Sequence, residues 1–321
     1  MLIIPEQLAC QLVSMEDAIA AVGDAFAASY AGKARSYPVV REQTGHADAV
    51  FGVKAGFDAS LPLLGLKAGG YWPGNAASGL GNHQSSVLLF DVDTGRAIAL
   101  VGGNYLTGIR TGAASALATR ALAAPDASIL GLVGTGAQSL HQYRATRAVR
   151  PIARVLAWSP NPDNAHNLRR AVEADGLRFD ALPLEQVARL ADVLITVTPS
   201  RAPLIRREWI RPGVHINAMG ADTIGKQELE VELVRAATVF VDDVQQAISI
   251  GECQHAHAER MLAADQLTLT LGGLVSGAHR RRTADDITIF DGTGIALQDL
   301  AVAGLAYRRA QEERLGIAFD F

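Results

Sequence analysis

The sequence predicts an α/β protein: a doubly wound parallel sheet beside a mixed, mainly antiparallel sheet. Three observations carry this. The stretch Ser128–Ala145, SILGLVGTGAQSLHQYRA, reads as a buried strand, a glycine turn and a helix. From there to about Asp242, short apolar runs alternate with helical stretches, the pattern of repeated βα units. From Tyr37 to Val101, short β-like pieces alternate instead with glycine-rich turns, which makes a different kind of sheet.

In order, Ser14-Met15-Glu16-Asp17 caps a helix to about Ala31, with Ile19, Val22 and Phe26 on one face. Strand pieces are expected at Pro38–Val40, Ala49–Lys54, Leu64–Ala68 and Ser86–Phe90. Asp91–Gly95 turns the last of these into a hairpin with Ala97–Val101. A small-residue helix from about Arg110 to Leu122 ends before Pro125 and connects the two sheets. Ile129, Leu130, Leu132 and Val133 are too continuous for a half-exposed strand and suit one buried on both faces. Further strands follow at Arg154–Trp158, Arg178–Leu182, Val193–Thr198, His215–Gly220 and Thr238–Asp242, with helices at about Pro162–Ala174 and Leu184–Leu190. After Glu252 come helix and loop, a strand at Asp286–Phe290, and a last helix Ile295–Arg314 whose apolar positions return it to the first domain.

Composition bounds the function. The chain has 321 residues, 49% hydrophobic and 19% charged, which is globular and large enough for two domains. A net charge of −4 argues against nucleic-acid binding by bulk electrostatics. The one basic run, His279-Arg280-Arg281-Arg282, reads as a solvated or interface loop. Cys10 and Cys253 form no disulfide framework and have no zinc spacing, so a reducing cytoplasm is expected. His255 and His257 would face differently on a helix, and no metal site is read there. The N-terminus MLIIPEQLACQL has no basic n-region, so no signal peptide is expected. No stretch reaches the roughly 18 apolar residues of a membrane helix.

The turn Gly134-Thr135-Gly136 is the first candidate for chemistry. Gly134 takes a backbone shape other residues resist, and Gly136 lets a phosphate approach the main chain. The next helix points free N–H groups and its positive end at that spot. Ser139 stands where the third glycine of a dinucleotide fingerprint is usual, and a plain strand-to-helix turn is the alternative. At the end of the following strand, Ser159 and Asn161 are neutral, where an NAD site usually has a carboxylate. That favours NADPH, although no arginine at the turn keeps NADH open.

Lys67, flanked by apolar and glycine residues, faces either water or a buried anion. Arg110 reads as an anion clamp or an interdomain ion pair, and Arg41 as a weaker third basic candidate. Asp222 follows a strand of the parallel sheet, where catalytic groups gather, and reads as a proton donor or a turn cap.

These residues together resemble the ornithine cyclodeaminase/μ-crystallin family, across nearly the whole chain. The matching pieces are GLKAGGYWPGN, LFDVDTG, NYLTGIRTGAASALATR, GLVGTGAQS, TVTPS, HINAMGADTIGKQEL, VDD…GE and DGTGIALQD. The resemblance implies an NAD(P)-binding Rossmann domain, residues 122–290, inserted in a substrate-binding and dimerisation domain, residues 1–121 and 291–321. It implies homodimers paired through the sheet of the substrate-binding and dimerisation domain. It makes Lys67 and Arg41 the holders of a substrate carboxylate, Asp222 the acid/base, and Thr293 a substrate neighbour. Arg110, Thr111, Gly134, Gly136, Ala137, Gln138, Ser159, Ser200, Met219, Gly220, Ala221 and Lys226 then line the cofactor, NADPH or NADH.

One departure bears on substrate. The cyclodeaminases carry a glutamate thirteen residues before the lysine, for the distal amine of ornithine; here that residue is Lys54. A cation there repels a second ammonium. The expected reaction is therefore NAD(P)H-dependent reduction of a small cyclic imino acid, Δ1-pyrroline-2-carboxylate or Δ1-piperideine-2-carboxylate, to proline or pipecolate. The rivals are alanine dehydrogenation, ornithine cyclisation, and non-catalytic ligand binding of the μ-crystallin kind.

Overall fold

The structure is a computed structural model that describes residues 1–281 and 283–320. In chain order the strands are β1 (Leu2–Ile4), β2 (Ala34–Ser36), β3 (Val40–Gln43), β4 (Val50–Asp58), β5 (Leu63–Tyr71), β6 (His83–Phe90), β7 (Ala97–Gly102), β8 (Ile129–Val133), β9 (Arg154–Trp158), β10 (Arg178–Ala181), β11 (Val193–Thr196), β12 (Arg201–Ile205), β13 (His215–Ala218), β14 (Gln227–Leu229), β15 (Thr238–Val241), β16 (Thr288–Asp291) and β17 (Ile317–Ala318). The chain divides into two compact units, Met1–Arg110 with Ile295–Phe321, and Thr111–Gly294.

The first unit is built on a mixed sheet of order β17-β1-β7-β6-β5-β4-β2, with β3 also paired to β4. Among the described residues, β1 and β7 are the one parallel pair and the other pairs are antiparallel. The β6–β7 turn is set by Asp91, whose Oδ1 accepts the N–H and hydroxyl of Thr94. The Met15–Tyr30 helix opens with the expected capping box between Ser14 and Asp17. Arg309 of the Ala296–Glu312 helix grips the same Asp17 carboxylate at 2.6 and 2.7 Å. That final helix lies close on the sheet because Gly65 offers no side chain: a Cβ there would stand 2.9 Å from Leu300.

Two of the differences from expectation have a plain physical cause. Pro38 has no N–H to give a ladder, so the piece expected at Pro38–Val40 is a strand only from Val40 on, as β3, and β2 lies before it at Ala34–Ser36. The connecting helix begins at Asn104, not near Arg110. The Glu6 carboxylate accepts the backbone N–H groups of Asn104 and Tyr105 and caps that end. A cap from so distant a residue leaves no local signal.

The second unit holds a wholly parallel sheet of order β10-β9-β8-β11-β13-β16-β15. Strand β8 lies between β9 and β11, where strand order reverses, and ligands of such sheets bind beyond the strand ends at that point. Leu130, Leu132, Leu156, Leu194, Ile216 and Ile289 are fully buried in it. His215 is a core residue: Nδ1 lies 2.9 Å from the Thr288 hydroxyl and Nε2 3.3 Å from Asn217. Burial pushes its pKa down to about 3. Arg281 is not a solvated residue of a basic loop, because its guanidinium donates to the carbonyls of Leu122, Gly213 and Asp286. Arg282, the last residue of that basic run, lies outside the described residues. Among the described residues, no helix is long and apolar enough to cross a membrane.

Candidate active site

In the first unit the basic residues converge. Lys54 and Lys67 are cross-strand partners on β4 and β5 and are both buried. Like charges directly opposite one another destabilise a sheet, and Asp299 on the final helix offsets this. Lys67 Nζ lies 2.9 Å from each Asp299 oxygen and 3.4 Å from the Thr107 hydroxyl. Arg110 sits inside its helix, with Nε 3.1 Å from Asp299 Oδ1 and Nη1 donating to Gln298 at 2.8 Å. Burial, then the charges of Arg110 and Lys54, bring the Lys67 pKa down to about 7 against the pull of Asp299. Burial alone would raise Asp299; Arg110 and Lys67 hold it below its ordinary value. Lys67 and Arg110 thus share one buried carboxylate, and the Lys54 charge also acts on it. Arg41, on β3, is half-buried in the same unit.

In the second unit the glycine turn follows β8 as expected. Gly134 has φ +101°, and a Cβ there would meet the Val197 carbonyl at 2.7 Å. Gly136 and Ala137 are exposed, with open space where a Gly136 Cβ would lie. Ser139, standing in for a third glycine, is buried and donates its hydroxyl to the Gly136 carbonyl at 2.7 Å. The Ala137–Arg147 helix starts at this turn without a side-chain cap. The buried Thr135 Oγ1 and Gln138 Oε1 lack a hydrogen-bond partner. Free helix N–H groups, unspent polar atoms and open space fit a dinucleotide pyrophosphate. Ser159 closes β9, half-buried, and Asn161 spends its carboxamide oxygen on the Asp163 N–H.

The loop after β13 carries Met219, Gly220 and Ala221, all buried, then Asp222 and Lys226. Lys226 Nζ donates to Asp222 Oδ1 at 2.7 Å and to the Gly220 carbonyl at 3.0 Å. Asp222 is therefore held in an ion pair while remaining partly accessible. Ser200, after β11, donates its hydroxyl to the Ala202 carbonyl. Thr111 is buried on the connecting helix. Thr293 donates its hydroxyl to Asp242 at 2.8 Å, and Gly294 N–H binds the other oxygen at 2.6 Å.

Sequence reasoning missed Asp299, Asp242, Glu228 and Glu252. Asp299 had a signal: a lone carboxylate in the small, apolar run GIALQDLAVAGLA. Such a group is buried only with partners.

Fold and site together define an NAD(P)-dependent oxidoreductase. The model of the ornithine cyclodeaminase/mu-crystallin family matches residues 6–314, and the chain belongs to that family. The iminosuccinate reductase of Paracoccus denitrificans is 48% identical over 303 residues, 94% of each chain. Its structure in complex with NAD+ superposes with a TM-score of 0.94, covering 100% of this chain and 99% of that one at 45% identity. The alanine dehydrogenase of Archaeoglobus fulgidus is 36% identical over 321 residues, 100% of this chain and 98% of its own. The Thermococcus litoralis Δ1-pyrroline-2-carboxylate reductase, solved with NADH and L-proline, has a TM-score of 0.95 and 29% identity over 99% of this chain and 100% of that one.

Proposed function

We propose that this chain reduces the C=N bond of a small α-imino acid with NAD(P)H. The observation that carries this is the buried cluster of Lys54, Lys67 and Arg110 around Asp299. In this reading Lys67, aided by Arg41, holds the substrate carboxylate and fixes which face of the C=N bond is presented. The nicotinamide, when bound, supplies the hydride to the α carbon. Asp222 delivers the proton to nitrogen, because a protonated imine accepts hydride more readily than a neutral one. The turn at Gly134–Gly136, with Ala137 and Gln138, holds the pyrophosphate, and Ser159, Ser200, Met219 and Lys226 line the rest of the cofactor. Positioning of the two reactants supplies much of the rate gain.

Two substrate shapes follow. Cyclic ketimines, pyrroline- and piperideine-2-carboxylate, have no second amine for Lys54 to repel. An open-chain imino dicarboxylate also suits Lys54, since a buried ammonium attracts a second carboxylate where it repels a second ammonium. The similarity to an iminosuccinate reductase supports this second shape. The chain acts as a cytoplasmic homodimer, by analogy with the archaeal alanine dehydrogenase, whose structure is a dimer with bound NAD.

The test is an absorbance screen of NADH and NADPH oxidation. Its substrates are pyrroline-2-carboxylate, piperideine-2-carboxylate, oxaloacetate plus ammonia, pyruvate plus ammonia, and ornithine. Turnover of an imino acid supports the proposal. Cofactor binding with no turnover on any of them refutes it in favour of a ligand-binding role.

A further inference from the structure

We propose that Glu228 is a positioning residue that ties together the two loops following β11 and β13, and through them sets the place of Asp222 and of the cofactor-lining backbone. Glu228 is fully buried on β14. Its Oε1 accepts the Thr198 N–H at 2.6 Å, and its Oε2 accepts the Gly220 N–H at 2.9 Å. Thr198 lies just beyond β11 and Gly220 just beyond β13, and these two strands are neighbours in the sheet. One carboxylate therefore takes one backbone donor from each loop. The approach is so close that a Cβ on Gly220 would stand 2.4 Å from Oε2.

The rest of the Asp222 loop is pinned from the same side. Gln254 accepts the Gly225 N–H at 2.7 Å and donates to the Lys226 carbonyl at 3.1 Å. Glu252, also buried, accepts the N–H groups of Glu228 and Leu229 at 2.9 and 2.6 Å, so the residue that clamps is itself held. The geometry calls for a carboxylate in particular. Two N–H groups approach two different oxygens, and a carboxamide has only one acceptor to offer them. Burial raises both glutamates, Glu252 well above its ordinary value with the Glu228 charge as the second cause. On Glu228, backbone N–H donors on both oxygens work against that rise.

This inference rests on the reading that these loops line the cofactor, and its test separates the two. Glu228→Gln leaves one of the two loops without its acceptor. NADH binding, followed by nicotinamide fluorescence, is expected to weaken by about tenfold or more. At saturating NADH, kcat is expected to fall as well, because Asp222 is displaced. Glu252→Gln keeps an acceptor for both of its donors and is expected to bind NADH within about threefold of wild type. A Glu228→Gln chain that loses thermal stability but keeps wild-type NADH affinity and kcat overturns the clamp and leaves the reductase reading standing. No NADH binding by the wild-type chain overturns both. Should Glu228→Gln fail to fold, amide exchange on the wild-type chain decides: the Thr198 and Gly220 amides are expected to slow together on adding NADH, and exchange indifferent to NADH overturns the clamp.

Discussion

Replacing Asp299 by Asn removes the carboxylate that Lys67 and Arg110 share while keeping its shape. Lys67 Nζ stands 2.9 Å from both oxygens, and Arg110 Nε 3.1 Å from one. At a charge separation of about 4 Å and an effective dielectric of about 20, the Lys67–Asp299 attraction is about 4 kcal/mol. One pKa unit corresponds to about 1.4 kcal/mol, so losing that attraction lowers the Lys67 pKa by up to about 3 units. Relaxation and water entry trim this, and a fall of at least about one unit is expected. The wild-type amine already titrates at about 7. On the proposal that its protonated form holds the substrate carboxylate, kcat/KM, which reports the free enzyme, is expected to decline as pH rises through about 7. In Asp299→Asn the decline begins at least about one unit lower, leaving roughly a tenfold deficit at pH 8 that narrows toward acid. Stability falls by about 3–5 kcal/mol in denaturant melts, since two buried cations lose their partner. The assay is kcat/KM for NADH-linked imine reduction from pH 5.5 to 9. Coincident alkaline limbs for the two proteins refute the assignment of that limb to Lys67.

Lys54→Met is expected to raise KM for an imino dicarboxylate about tenfold or more and to leave KM for the cyclic ketimines within a small factor. Equal effects on both substrate types refute a role for Lys54 in reading a second carboxylate. Asp222→Asn is expected to lower kcat by about 10²–10⁴-fold with NADH affinity nearly unchanged, measured by single-turnover absorbance and fluorescence titration; a wild-type kcat removes Asp222 from the chemistry. Glu6→Gln leaves one of two backbone N–H groups at the start of the Asn104–Leu122 helix without an acceptor. It is expected to cost about 1 kcal/mol of stability, and an unchanged melting temperature would refute the cap.

How far the sequence could be read follows from the range of the forces involved. Strand β8, its glycine turn and the following helix were legible because each is fixed within a few residues, by apolar continuity and by Gly134. Lys67 was legible as a choice between water and a buried anion. Choosing needed Asp299, which the final helix brings in from 232 residues away. The start of the Arg110 helix was misread for the same reason, because its cap is Glu6. Glu228 and Glu252 were not legible at all. Their bonds go to backbone N–H groups, which every residue but proline carries, so no pattern in the chain announces them. The family resemblance supplied roles for residues such as Ser200 and Thr293 that local chemistry left open.

Position 54 is where charge and substrate choice meet. A glutamate there would set two carboxylates against Lys67 and Arg110, a cluster that would attract a ligand's second ammonium. Lysine instead adds a cation beside the Lys67–Arg110–Asp299 group, and its charge acts on Lys67. Burial, Arg110 and Lys54 together outweigh Asp299 and bring the Lys67 pKa down to about 7. A ligand bearing two carboxylates would raise that pKa, which ties tight binding to proton uptake. A ligand with one carboxylate would do so only in part. On the proposed reading, a lysine at position 54 would disfavour a diamine and make anionic charge on the ligand, more than ring size, the property that decides binding.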